Sequence, residues 1–188
     1  MPLSRDDCVF FWKPDTNNGW ASQWYYSPFK ARIRISTPSG AIVEHDEETE
    51  FLTTEHWMMA CKALVFGDRE VFEEVLAADA ADMRAVKALG RKVQGFDDGV
   101  WNGVREEIVF RGNFHKFGQN EELKGWLLDT GNKMFIEASP RDRIWGIGFG
   151  EKRALEVVDR WGLNLLGKAL VRVREALRSE SQEVEGVE

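Results

Sequence analysis

Cysteine is scarce in this chain: Cys8 and Cys61 are the only two among 188 residues, and no C-x-x-C spacing joins them. That excludes a disulfide framework and a thiolate zinc site, and it makes Cys61 a buried free thiol. His45, His56 and His115 lack the short paired spacing of zinc proteases, and no Ser/His/Asp set is legible, so neither a metal centre nor a serine triad is expected. No apolar run approaches the length of a bilayer span, and the N-terminal MPLSRDDCVFFW has no basic region followed by a long apolar stretch. A soluble, cytoplasmic protein with no membrane partner is expected. Positive charge is short as well: the net charge of -7 argues against coating nucleic acid through generalised phosphate attraction. Local basic segments remain, KARIRI at 30–35 and GRKV at 90–93. No internal repeat or low-complexity block is present.

With 43% hydrophobic and 30% charged residues, the chain suits one globular domain, residues 1–178, followed by an acidic disordered tail, SESQEVEGVE, at 179–188. Residues 10–29 are dense in aromatics and turn formers, which suggests a folded loop region with short strands. Strands are expected at 31–36 and 41–44, joined through TPSG, with the acidic HDEETE after them a solvated connection. Helices are expected from the capping threonines to Gly67, over 69–77, over 80–89 ending at Gly90, over 98–116 entered by Asp97 or Asp98, from Asn120 to Leu128, and over 164–178. KMFIEAS at 133–139 is the clearest buried strand. The fold class is therefore α+β, mostly helical with a small β-sheet.

Residues 51–62, FLTTEHWMMACK, place an acid and a histidine at the head of an apolar helix. At helical spacing Glu55, Met59, Lys62 and Phe66 share one face, so a carboxylate stands at the positive helix end with a cation two turns on. A second carboxylate, Asp142, lies in the loop PRDRIWGIGFGE after the buried strand, with Trp145, Gly146 and Gly148. These glycines permit close backbone approach to a ligand, but Glu151 stands where a dinucleotide fingerprint needs its third glycine. Trp101, at the start of the long helix, is either core or a stacking platform for a flat ring.

Taken in order, these segments resemble the YbiA-like, or NADAR, family: Gly19 to Trp24 with Ser22, Pro28-Phe29-Lys30, T-x-E-H-W at 53–57 with Lys62, Gly90-Arg91, Trp101, K-F-x-Q at 116–119, Asp142 with W-G-x-G at 145–148, and N-L-L-G at 164–167. The resemblance covers about residues 10–177. Two departures stand out: Ser22-Gln23-Trp24 replaces the usual Ser-Asn-Phe, and the stretch between Lys30 and Thr53 is expanded.

The resemblance implies a largely helical α+β fold and an N-glycosidase that uses no metal or cofactor. Its substrates would be ADP-ribosylated guanine in nucleic acid or small phosphorylated ribosylamino-pyrimidine intermediates of riboflavin synthesis. In both, ribose C1 is bonded to an exocyclic amine of a guanine-like ring. It implies Glu55, Trp101 and Asp142 as catalytic residues, the carboxylates in acid/base work and stabilisation of the C1 cation. It also implies Lys30 as a covalent imine former, for which burial among Trp24, Tyr26 and Phe29 would favour the neutral amine. Arg91, Lys62 and Lys116 are expected at the phosphates, Gly146 and Gly148 at backbone contacts, and Ser22, Gln23, Gln119 and Trp145 around the pocket.

Overall fold

The computed structural model describes residues 3–79 and 82–185, with side chains to residue 182. Its contacts divide the chain into two compact units, residues 26–116 and the flanking segments, up to Tyr25 and from Phe117 on.

The inner unit begins with strict alternation. In β2 (Phe29–Ser36), the strand that follows β1 (Cys8–Phe11) along the chain, Phe29, Ala31, Ile33 and Ile35 point inward and Lys30, Arg32 and Arg34 outward. Its antiparallel partner β3 (Ile42–Phe51) follows a turn in which Gly40, at φ 83°, adopts a conformation that glycine accepts without strain. HDEETE is therefore strand rather than connection. Register supplies the reason: within this segment His45 pairs with Ile33, Thr49 with Ala31 and Glu50 with Lys30, an opposite charge.

Helix α1 (Thr54–Val65) is capped as expected, Thr53 Oγ1 accepting from the His56 amide at 3.1 Å, and Gly67 at φ 71° follows its end. It is apolar almost all round and buried from Thr54 to Leu64 apart from Lys62, as befits a helix at the centre of its unit. Trp57 donates its indole N–H to the Ile108 carbonyl at 2.8 Å, and Gly112 admits its ring, since a side chain there would collide with it. Around α1 lie α2 (Arg69–Leu76), α3 (Met83–Lys92) and α4 (Asp98–Gly118), and the residues of α4 through Lys116 belong to this unit. Gly90 does not end α3. It lies two residues inside the end, and the helix passes so close to α1 there that a Cβ at Gly90 would overlap Met59 Sδ.

The outer unit is built on β1 (Cys8–Phe11) paired parallel with β4 (Met134–Glu137), register Cys8 to Met134 through Phe11 to Glu137. Phe10, Ile136, Ala138, Ile147 and Ala154 form one core cluster, and Trp20 meets Phe117 and Phe135 edge-on. Helix α5 (Glu121–Asp129) is capped by Asn120, whose Oδ1 accepts from Leu123 at 3.0 Å. A short α6 (Glu151–Ala154) precedes α7 (Leu165–Glu185). Helix α7 thus runs past the expected end at 178, through Ser179 to Glu185; residues 186–188 of the expected tail lie outside the described residues. Buried Arg174 on α7 donates to the Thr130 hydroxyl at 3.0 Å and the Lys133 carbonyl at 2.7 Å, so its guanidinium has the partners a buried charge requires. Among the described residues no helix is long and apolar enough to cross a membrane.

Candidate functional site

In the inner unit the structure brings four expected residues onto one seam. Glu55, 2% exposed, lies in the first turn of α1, where amide N–H groups favour an acid. Two turns on, Lys62 donates to the Gly90 carbonyl at 2.7 Å and sits 4.3 Å from the Phe96 ring centroid and 5.8 Å from that of Trp101. Burial, and secondarily Arg91, lower the Lys62 pKa, while Asp98 opposes them. Trp101 is 9% exposed at the start of α4, a helix begun by Asp97, whose Oδ1 accepts from Val100 at 2.8 Å. Arg91, exposed at the end of α3, completes the set.

Sequence reasoning missed Lys87, whose Nζ lies 3.9 Å from Glu55 Oε1. Its one signal was the spacing Met83, Lys87, Gly90, a single face of α3. Two expected lysines are not on this seam. Lys30 is exposed on the outward face of β2, and Tyr26 is 63% exposed, so the desolvation expected to favour a neutral Lys30 amine is not found. Lys116 is completely buried and its pKa falls to about 7 through desolvation, so it offers no surface cation to a phosphate.

In the outer unit Asp142, Trp145, Gly146 and Gly148 share one loop. Asp142 Oδ1 accepts from the amides of Ile144 and Trp145, both at 2.8 Å, which closes the turn. The segment after α6 then ties this loop down: Gly162 donates to Ile147 at 2.8 Å, Leu163 to Arg143 at 2.8 Å, Leu165 to Ile144 at 3.1 Å and Leu166 to Trp145 at 3.1 Å. Both glycines have local causes. A Cβ at Gly146 would come 2.8 Å from the Glu137 carbonyl, and Gly148 adopts φ 77°. Asn164, at φ 50°, holds β4 with both ends of its amide, donating to Phe135 at 2.8 Å and accepting from Glu137 at 3.1 Å. Ser22 and Gln23 are buried after the turn Gly19–Ala21, and Gln119 is exposed.

This unit also contains a cavity of about 490 Å³, lined by Phe11, Trp12 and Ala138 with Gly150, Lys152 and Arg153 at its edge. Its lining joins the aromatic segment after Phe10 to residues 150–153 at the end of the Asp142 loop. Among the described residues, no three His, Cys, Asp or Glu side chains gather as a metal ion needs.

The family model described as the NADAR domain matches residues 10–178. An N-glycosidase of Acanthamoeba polyphaga mimivirus is 37% identical over 92% of this chain and 98% of its own length. A riboflavin biosynthesis protein of Vibrio vulnificus is 30% identical over 92% of this chain but only 39% of its own length. The NMR structure of Escherichia coli YbiA superposes over 96% of this chain and 90% of that one, with a TM-score of 0.68 at 24% identity, a likeness of fold.

Proposed function

This chain belongs to the NADAR domain family, and from that premise we propose that it is an N-glycosidase that hydrolyses the bond between ribose C1 and an exocyclic amine of a guanine-like base. The proposed substrate is ADP-ribosylated guanine in nucleic acid. The C1–N bond breaks, the amine leaves with a proton, and water supplies the oxygen that C1 keeps, so the products are ADP-ribose and unmodified guanine.

The carrying observation is the seam itself: a nearly dry carboxylate, Glu55, with Lys62, Arg91 and Trp101 along the same helices. Positive charge that develops at C1 is stabilised most by an anion with little water around it. Two cations beside a ring suit a diphosphate attached to a nucleoside better than a single phosphate, which favours ADP-ribose over the ribosylamino-pyrimidine phosphates. The acidic balance of the chain directs recognition to the modified base rather than to the phosphate backbone. Asp142 enters as the second carboxylate by family resemblance. Lys30 enters as the imine-forming amine on the same ground, and its exposed position adds no support from desolvation.

The test offers the protein an oligonucleotide that carries ADP-ribosyl-guanine and, separately, the ribosylamino-pyrimidine phosphates, and separates the products by chromatography. Release of ADP-ribose is expected, with Glu55→Gln and Asp142→Asn each slower by at least ~100-fold at unchanged circular dichroism. Release from the pyrimidines alone would move the substrate to riboflavin chemistry. ADP-ribose binding without turnover of either would leave a binding module. Borohydride added during turnover should attach a ribose-derived adduct to the Lys30 peptide if the imine forms.

A further inference from the structure

Helix α3 meets α1 at both ends of its inner face. At one end Thr53 Oγ1 donates to Met83 Sδ at 3.0 Å. At the other, Gly90 lies against Met59 and its carbonyl receives Lys62 Nζ. Met83, Lys87 and Gly90 share one helical face, so with both ends fixed the middle residue is delivered to Glu55. Sliding α3 by one turn would break both end contacts. The resulting pair is unequal: the Lys87 side chain is 38% exposed and that of Glu55 only 2%. The cation keeps water and the carboxylate does not, so the nearby positive charge favours a buried anion at Glu55. Of the other cations on these two helices, Lys62 meets Gly90 and Phe96, Lys92 lies 3.5 Å from Glu74, and Arg84 and Arg91 are exposed to either side of Lys87.

We propose that Lys87 is a positioning residue that keeps Glu55 charged and fixed in place, which makes Glu55 the anion that faces positive charge at ribose C1 rather than the proton donor to the leaving amine. The inference rests on the catalytic reading of Glu55, and its test separates the two. Four variants are compared with the unaltered chain: Lys87→Met, Lys87→Arg, Glu55→Gln and the double variant Glu55→Gln/Lys87→Met. In thermal melts Lys87→Met should fall by about 4 °C or more, and the double variant should melt higher than Lys87→Met because a neutral amide at 55 loses less with the Lys87 charge than the carboxylate does. A double variant that melts no higher than Lys87→Met would overturn the proposal, whatever the substrate.

In the oligonucleotide and pyrimidine assays, Lys87→Met should lose about tenfold or more in kcat with KM changed less than about threefold, and Lys87→Arg should recover most of the rate. Full activity of Lys87→Met beside an inactive Glu55→Gln would also overturn it. Full activity of Glu55→Gln would instead remove the functional reading of Glu55, and the melts would still decide the ion pair.

Discussion

The two candidate carboxylates are held by different means. Asp142 stands on a loop whose backbone is tied, residue by residue, to Gly162, Leu163 and the first turn of α7. Glu55 stands on a helix whose register against its neighbour is set by side chains: a threonine on a methionine, a methionine on a glycine, a lysine on a carbonyl. Backbone clamps leave little choice of shape and tolerate varied side chains. Side-chain seams adjust their shape and are sensitive to chemistry. The outer unit should therefore fail when backbone is crowded, and the inner one when charge or ring character is changed.

The strongest way to break this contrast is a pair of glycine substitutions. A Cβ at Gly167 would strike the Phe135 carbonyl, which is backbone, whereas at Gly90 it strikes a flexible methionine side chain. Gly167→Ala should cost about 3 kcal/mol or more in chemical denaturation and Gly90→Ala about 1 kcal/mol or less, since alanine also favours the helix. Equal losses would erase the distinction.

Smaller, and specific to the inner unit, is the pH dependence set by Lys116. Its amine is neutral in the folded chain above about 7, while the unfolded chain holds that proton until about 10.5. Between these values the unfolded state binds more protons, so stability rises with pH. From pH 7 to 9 the unaltered chain should gain about 2 kcal/mol relative to Lys116→Met, as denaturation at the two pH values would measure. Parallel curves for the two proteins would mean that Lys116 titrates normally.

Least in energy is the ring at Trp101. Trp101→Ala should lose roughly tenfold more activity than Trp101→Phe, because stacking requires a flat face and the indole N–H is secondary. Equal rates in two folded variants would return Trp101 to a packing role.

Local signals were legible in the sequence and distant pairings were not. The Thr53 and Asn120 caps, the stop at Gly67 and the alternation from Ala31 to Ile35 depend on neighbours within a few residues, and all appear in the structure. HDEETE was misread because its strand character comes from pairing with Lys30, Ala31 and Ile33 across the ribbon, not from its own composition. Gly90 reads as a helix end until Met59 is placed beneath it. Of the site, Glu55 and Trp101 gained a role only through the resemblance, since a first-turn acid and a core tryptophan fit their own surroundings equally well, and Lys87 becomes visible only when α3 is laid on α1. Exposure was the least legible property: the aromatics before Lys30 suggested a dry amine, yet strand alternation turns it outward, while Lys116 needed all its helix neighbours to be seen as buried.

The parallel pair at the heart of the outer unit also sets a timetable for biosynthesis. Cys8 to Phe11, all buried in the finished protein, leave the ribosome long before Met134 to Glu137 are made. Roughly 125 residues separate the partners, which at usual elongation rates is a delay of about 6 to 25 s. Residues 26–116 emerge within that interval as one uninterrupted stretch with all their own strand and helix partners. The nascent chain thus carries an apolar, unpaired strand ahead of residues 26–116 for as long as synthesis takes to reach β4, the period in which association with other chains competes with folding.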